Sequence, residues 1–306
     1  MRSLEHRPAV SLLVFFAVAG AVIGWIKPDF FSFENAFDIA ANSSYLAIAA
    51  MGMLAVVLIG QIDVSVGAIL AICCAITGAL AKAGVGLVWL VPLSMAVGGL
   101  LGAINGVLVG WLGVHSIVVT LGTLSIYRGL MIVGTQGIWI TGLPKSFRFW
   151  GEGAVGPLPA SLLLLGVVAA VFWVFLYQLR AGRELFLLGS NPEAARLAGT
   201  AVATVQLQAF ALSGAMVGLA GVIFAGRFGG VESNTGQGFE LTVISAVVLG
   251  GANIFGGSGT LLGTVLGAVL ISSLGTVLIF LGVDAIWEQA AQGLLILLAV
   301  LFFTLQ

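Results

Sequence analysis

Charge is what this sequence has least of. Asp, Glu, Lys and Arg together make up 8% of the chain, against roughly 25% in an ordinary soluble domain. They nearly cancel, leaving a net charge of −1, and no basic tract gives the electrostatic footprint of a nucleic-acid binder. Cysteine is almost as scarce. Cys73 and Cys74 are adjacent within an apolar run, without the spacing of a metal or redox pair, and read as small packing residues. The histidines are His6 and His115 alone, too few for a metal-ligating or catalytic cluster, and His115, beside Ser116 in a short connection, reads as a solvated or capping residue. There is no Gly-x-Ser-x-Gly elbow, and none of Lys27, Lys82 and Lys145 follows Gly-x-x-x-x-Gly, so a phosphate loop is missing as well. The chain is expected to be no enzyme and to bind no metal or cofactor. If its work uses ATP, another subunit supplies the hydrolysis.

What the sequence has in abundance is apolar length. Hydrophobic residues make up 60% and the mean hydropathy is +1.19. Apolar runs of about 17 to 25 residues, each long enough to cross a hydrocarbon core of ~30 Å as a helix, recur along the chain. Charge, Pro and Gly clusters divide it into ten expected helices near residues 9–26, 40–59, 64–81, 88–110, 116–133, 161–179, 205–224, 240–252, 261–281 and 288–305. The expected fold is an all-α polytopic transmembrane bundle of about ten spans with broken helices, one domain over residues 1–306. Ala17-Val18-Ala19 could pass for a signal-peptide cleavage site, but the first run continues unbroken to Ile26, which predicts a retained helix. The eighth, near 240–252, is short enough to dip into the membrane as a broken or tilted element.

Two connections are long. Residues 134–160 hold three prolines with Trp139, Phe147, Phe149 and Trp150, a composition suited to a folded cap at one membrane surface. Residues 180–204 hold Arg180, Arg183, Glu184, Glu193 and Arg196, the densest charge in the chain. Lys and Arg near the helix ends divide evenly, with Arg2, Arg7, Arg180, Arg183 and Arg196 on one side and Lys27, Lys82, Lys145, Arg148 and Arg227 on the other. The cluster of arginines in 180–196, with Arg2 and Arg7, orients the chain with both termini and the 180–204 loop cytoplasmic, and with the 134–160 loop on the opposite face. Within the charged loop, Ser190 or Asn191 can cap a short amphipathic helix that Pro192 and Glu193 open. Too short to be stable alone, it serves either as a connector or as a docking helix for a partner protein.

Small and polar residues mark what the helices do. Gly98, Gly102, Gly106 and Gly110 recur every fourth residue, with Asn105 beside them; Gly259, Gly263 and Gly267 repeat the device, and Gly214 and Gly218 do so more briefly. Such stripes let backbones pack closely within one bundle, or form a subunit or moving interface. Thr120, Thr123 and Tyr127 share one helical face, where their hydroxyls either bond backbone carbonyls or line a polar path for a polyhydroxylated solute. Arg128 is placed near the outer end of its helix, pairing with a loop acid. The stretch GQIDVSVG at 60–67 breaks an apolar run. Asp63 is positioned to cap the helix that follows, while Gln61, Asp63 and Ser65 can also line a translocation path or gate. Ala55-Val56-Val57-Leu58-Ile59-Gly60 before that break matches Ala246-Val247-Val248-Leu249-Gly250-Gly251 before ANIFGGSG, the pattern of discontinuous helices in related halves of a transporter; Asn253 in the second break is a further path candidate.

Four stretches together are specific: Gly60-x-Ile62-Asp63-Val64-Ser65-Val66-Gly67, the run from Val119 to Gly129, Gly189-x-Asn191-Pro192-x-Ala194-Ala195-Arg196-x-x-Gly199, and Val248-Leu249-Gly250-Gly251 followed by Gly256-Gly257-Ser258-Gly259. In order and spacing the sequence resembles the permease subunits of ribose-type sugar ABC importers, nearest the rhamnose and autoinducer branch. It departs from their pattern at Gln61, where Gly is usual, and near His115, where Pro is usual. The resemblance implies an inner-membrane subunit that translocates a small sugar or sugar-like solute. It implies pairing with a second copy or a sister permease, docking to a cytoplasmic ATPase that binds ATP and Mg, and delivery of substrate by a periplasmic binding protein. It assigns Asn191, Pro192, Glu193, Ala194, Arg196 and Gly199 to the coupling helix that enters the ATPase. Permeases for branched-chain amino acids and nucleosides share the architecture, and an ion-coupled secondary transporter is the alternative from another class. That alternative calls for a chain of buried carboxylates, whereas Asp63 stands nearly alone.

Overall fold

The computed structural model describes residues 23–25, 27–284 and 287–304, so the expected span at 9–26 lies almost wholly outside the described residues. After a 3-10 turn at Pro28–Phe31, the helices are α1 (Phe33–Leu58), α2 (Val66–Lys82), α3 (Leu87–Gly110), α4 (Ser116–Thr135), α5 (Lys145–Glu152), α6 (Ala160–Gln178), α7 (Arg180–Ser190), α8 (Pro192–Leu197), α9 (Val202–Phe228), α10 (Phe239–Leu249), α11 (Leu261–Phe280) and α12 (Trp287–Thr304). Strands are vestigial: β1 (Ile140–Thr141) pairs with β4 (Gly230–Val231), and β2 (Ala154–Val155) with β3 (Leu158–Pro159), both antiparallel.

Among the described residues six helices, α1, α3, α4, α6, α9 and α11, have the length and apolarity to cross a membrane. Two are central. In the most apolar window of α1 89% of residues are buried, and in that of α9 78%, while the other four fall between 22% and 28%. The peripheral helices turn Leu100, Val118, Leu121, Val167, Val171 and Leu262 outward, an apolar exterior that suits lipid and not water. This is a helical membrane bundle.

α1 begins seven residues before the expected helix at 40–59. Ser32 caps it by accepting the Asn35 N–H at 3.3 Å, and the acids Glu34 and Asp38 are tolerated because Asp38 meets Arg227 at 2.7 Å. α7 replaces part of an expected loop. Its Arg180 and Glu184 pair along one helical turn at 2.7 Å, while Leu185 and Leu188 are buried on the opposite face. The 134–160 segment folds as a cap in which α5 lies across the end of α9, with Gly151 against the backbone of Gly226 and Arg227.

Packing along the centre is backbone to backbone. A Cβ on Gly98 would strike the Gly214 carbonyl, one on Gly102 the Phe210 carbonyl, one on Gly106 the Leu207 Cα and one on Gly110 the Ala203 carbonyl. From the other side, Gly214 and Gly218 would strike Gly98 and Ser94. α3 and α9 therefore run antiparallel along two matched glycine stripes. Gly263 and Gly267 sit likewise on Gly250 and Ala246 at the end of α10, whereas Gly259 precedes α11 and packs on Leu54 and Ala252. Cys73 and Cys74 are fully buried, their thiols directed at the carbonyls of Ser94 and Gly221.

Candidate functional site

The break at 59–65 ends α1 with a Schellman turn. Gly60 takes φ +71°, its N–H donates to the Val57 carbonyl at 2.9 Å and that of Gln61 to Val56 at 3.1 Å, which satisfies carbonyls that the helix end leaves free. α10 ends in the same way. Gly251 at φ +84° donates to Val248 at 2.9 Å and Ala252 to Val247 at 3.2 Å. The repeated Ala-Val-Val-Leu sequence thus produces a repeated cap. Such turns recur in this chain, at Gly84 and Gly199 among others; what sets these two apart is that they lead into breaks that touch. The Gly257 N–H donates to the Leu58 carbonyl at 2.9 Å, and a Cβ on Gly256 would come within 2.8 Å of the Gly60 nitrogen.

A third element meets them. Gly189, near the end of α7, lies so close to the Leu58 carbonyl and the Gly257 nitrogen that no Cβ fits. Directly after it, Asn191 caps α8 by accepting the Ala194 N–H at 3.0 Å, with Pro192 in the first turn, Glu193 beside it and Arg196 in the last. Ala195 is buried and Leu197 is 91% exposed; Gly199 closes the helix at φ +82°. The exposed helix α8 is thus joined, through one glycine contact, to both helix breaks. Nothing local in the sequence marks Gly189 as carrying this contact, because its partners lie about 70 and 130 residues away in the chain.

The break also holds a sealed polar network. Ser65 donates to Asp63 Oδ1 through its hydroxyl at 2.6 Å and its N–H at 2.9 Å, and Asn105 Nδ2 donates to Ser65 Oγ at 2.8 Å. All three residues are fully buried, and the Asp63 Oδ2 and Asn105 Oδ1 atoms have no hydrogen-bond partner among the described residues. α2 starts at Val66, after Ser65, so Asp63 closes a turn ahead of the helix in place of the expected cap on a helix starting at 64. Asp63→Asn keeps the Oδ1 acceptor and adds an amide that can serve the Asn105 oxygen. Stability in detergent is expected to stay within about 1 kcal/mol of the parent, read as the midpoint of thermal unfolding. A drop well beyond that would show that the negative charge itself holds the break.

The other path candidates are engaged elsewhere. Thr120 donates to the Ser116 carbonyl at 2.8 Å, Thr123 to Thr120 at 3.3 Å and Tyr127 to Leu101 at 2.9 Å, so these hydroxyls bond backbone carbonyls, the first two within their own helix and Tyr127 across to α3. Asn253 accepts the Phe255 N–H at 3.1 Å and shapes its own loop. Gln61 is half-exposed at the junction. His115 is exposed and makes no side-chain cap bond to α4. Arg128 donates to the Thr235 carbonyl at 2.5 Å, a backbone partner in place of the expected loop acid; the carboxylate whose charge acts on it is Glu240, in the first turn of α10. Among the described residues no group of His, Cys, Asp or Glu could hold a metal ion.

An apolar bundle with broken helices and one exposed polar helix is the build of a transport permease. Comparison with known proteins makes the assignment specific. Residues 35–300 match the family described as branched-chain amino acid transport system, permease component. The chain is 37% identical over 295 residues to the autoinducer 2 import system permease protein LsrC of Enterobacter sp. (strain 638), covering 96% of this chain and 85% of that protein. To the protein of the same name from Yersinia pseudotuberculosis serotype O:3 (strain YPIII) it is 36% identical over 300 residues, covering 98% and 85%. No solved structure matches. The chain belongs to this permease family, and the resemblance drawn from its four motifs holds.

Proposed function

We propose that this chain is the membrane-spanning permease subunit of an ATP-driven importer for a small sugar-like solute, of the kind its autoinducer 2 relatives are named for. The observation that carries the reading is the junction of α8 with both helix breaks. An exposed, well-capped helix that follows directly on α7, whose Gly189 packs on two intramembrane breaks, is suited to receive a push from an ATPase and pass it into the bundle. Asn191, Pro192, Glu193, Ala194, Arg196 and Gly199 form the docking element, and ATP and Mg belong to the partner. A second permease copy or a sister chain completes the pathway, and a binding protein delivers the solute.

Helix order supports ten spans with both termini cytoplasmic. The junction of Leu58, Gly189 and Gly257 and the close approach of Gly110 to Ala203 gather the odd ends of the helices on one side. Arg227 with Asp38, and Phe30 with Phe280, gather the others on the opposite side. With the apolar run at 9–26 as the first span, alternation brings the end of α12 back to the α8 side, which also carries Arg180, Arg183 and Arg196 and is the inner face of a bacterial inner membrane by the rule of positive charge.

The test is co-purification with the ATPase encoded beside it. The two are expected to co-elute, and Glu193→Arg, which reverses charge in the first turn of α8 without touching the bundle, is expected to weaken the pair by about tenfold or more. A chain that never associates with an ATPase and instead carries solute down an ion gradient would reverse the assignment.

A further inference from the structure

The backbone between α9 and α10 does not return along the surface. Gly229 reverses the chain at φ +67°, Val231 then lies against Gly78 of α2, and the Gly236 carbonyl lies against Gly67. Those two glycines are eleven residues apart on α2, so the segment descends about 16 Å beside it at 1.5 Å per residue, roughly half a hydrocarbon core of ~30 Å. Residues 231–238 are therefore irregular backbone at membrane depth. Such backbone persists only where protein buries it or where it lines a water-filled cavity.

Both conditions are met, on opposite sides. On one side α2 packs against Gly236, Arg128 of α4 satisfies the Thr235 carbonyl, and Glu240 Oε2 is buried without a hydrogen-bond partner among the described residues. On the other side lies a cavity of about 430 Å³ lined by Trp139, Thr141, Phe224, Phe228, Glu232, Asn234 and Thr235 among others. The Thr235 hydroxyl already accepts the Glu232 N–H, whereas Glu232 and Asn234 keep exposed side chains and Trp139 is 57% exposed.

We propose that this cavity, between the β1–β4 ladder and the descending segment 231–238, is a way-station on the translocation path that holds a neutral, polyhydroxylated ring. The aromatic walls offer flat apolar surface to C–H faces, while Glu232, Asn234 and Thr141 accept and donate hydrogen bonds to hydroxyls. The volume lies near the lower end of small-molecule pockets, about 300–1,000 Å³, which suits one ring and not an oligosaccharide. Among the described residues no cation lines it: Arg128 is engaged behind the segment, and Arg148, whose guanidinium lies beside Gly229 at the cavity edge, is paired with Glu152, so anionic solutes are disfavoured. The inference rests on the importer reading above.

Asn234→Cys gives the test, because Cys73 and Cys74 are buried and leave little background. In the complex with its ATPase, the reactivity of the new thiol toward a charged methanethiosulfonate is expected to change by about fivefold or more between the ATP-free and vanadate-trapped states. Trp139→Ala and Glu232→Gln are expected to lower ATP-driven uptake of autoinducer 2 or D-ribose, whichever the parent imports, by about tenfold or more with hydrolysis retained. Thr141→Cys takes the place of the first variant if that one fails to assemble. Should the complex assemble and hydrolyse ATP while thiol reactivity stays the same in both states and uptake survives both substitutions, the cavity is off the path and only this inference falls. A chain that binds no ATPase defeats the importer reading instead.

Discussion

Gly189→Ala is expected to leave a complex that assembles with its ATPase and hydrolyses ATP but imports about tenfold less solute or worse. Within a helix, alanine normally gains about 1 kcal/mol over glycine. Here its Cβ would enter the space held by the Leu58 carbonyl and the Gly257 nitrogen, neither of which can rotate away, because they bond each other at 2.9 Å. Overpacking against backbone atoms costs about 3 kcal/mol or more, which outweighs the helix gain, so the variant is expected to be less stable than the parent as well as altered in the geometry of the junction. α8 begins at Pro192 and keeps its Asn191 cap, so docking should survive. Gly166→Ala is the matched control, since nothing lies within 4 Å of the Cβ it would add. Uptake within about twofold of the parent in both variants would remove the junction from the coupling route.

Gly102→Leu is expected to have the largest effect on folding, with no monodisperse protein recovered after extraction. The Cβ of any residue at position 102 strikes the Phe210 carbonyl and lies 3.2 Å from the Gly214 Cα, so α3 and α9 must separate along the whole stripe. Separation removes close packing that no hydrophobic drive from lipid replaces, and it exposes the buried network of Asn105 and Ser65 on the same side of α3. Gly122→Leu on α4, where a Cβ meets nothing within 4 Å, should extract normally; equal recovery of the two variants would show that the glycine stripe is dispensable.

How much of this was legible depended on the range of the forces involved. Apolar runs located nine helices because burial in lipid depends on local composition, and the glycine spacing in α3 announced a close approach because one helix face determines it. The start of α1 was missed because Asp38 reads as a break until Arg227 of α9, distant in sequence, is seen to pair with it. α7 was missed because Arg180 and Glu184 look like a loop until one turn of helix sets them side by side. Thr120, Thr123 and Tyr127 were correctly placed on one face, yet their geometry shows hydroxyls committed to carbonyls. The descent of residues 231–238 had no local signal. Only the contacts of Val231 with Gly78 and of Gly236 with Gly67 reveal its depth.

The most direct test of the central claim is solute entry into liposomes that hold this chain with its ATPase and binding protein. Uptake is predicted to require ATP and to persist when ionophores collapse every ion gradient. Uptake that continues without ATP and stops with the ionophores would contradict the account.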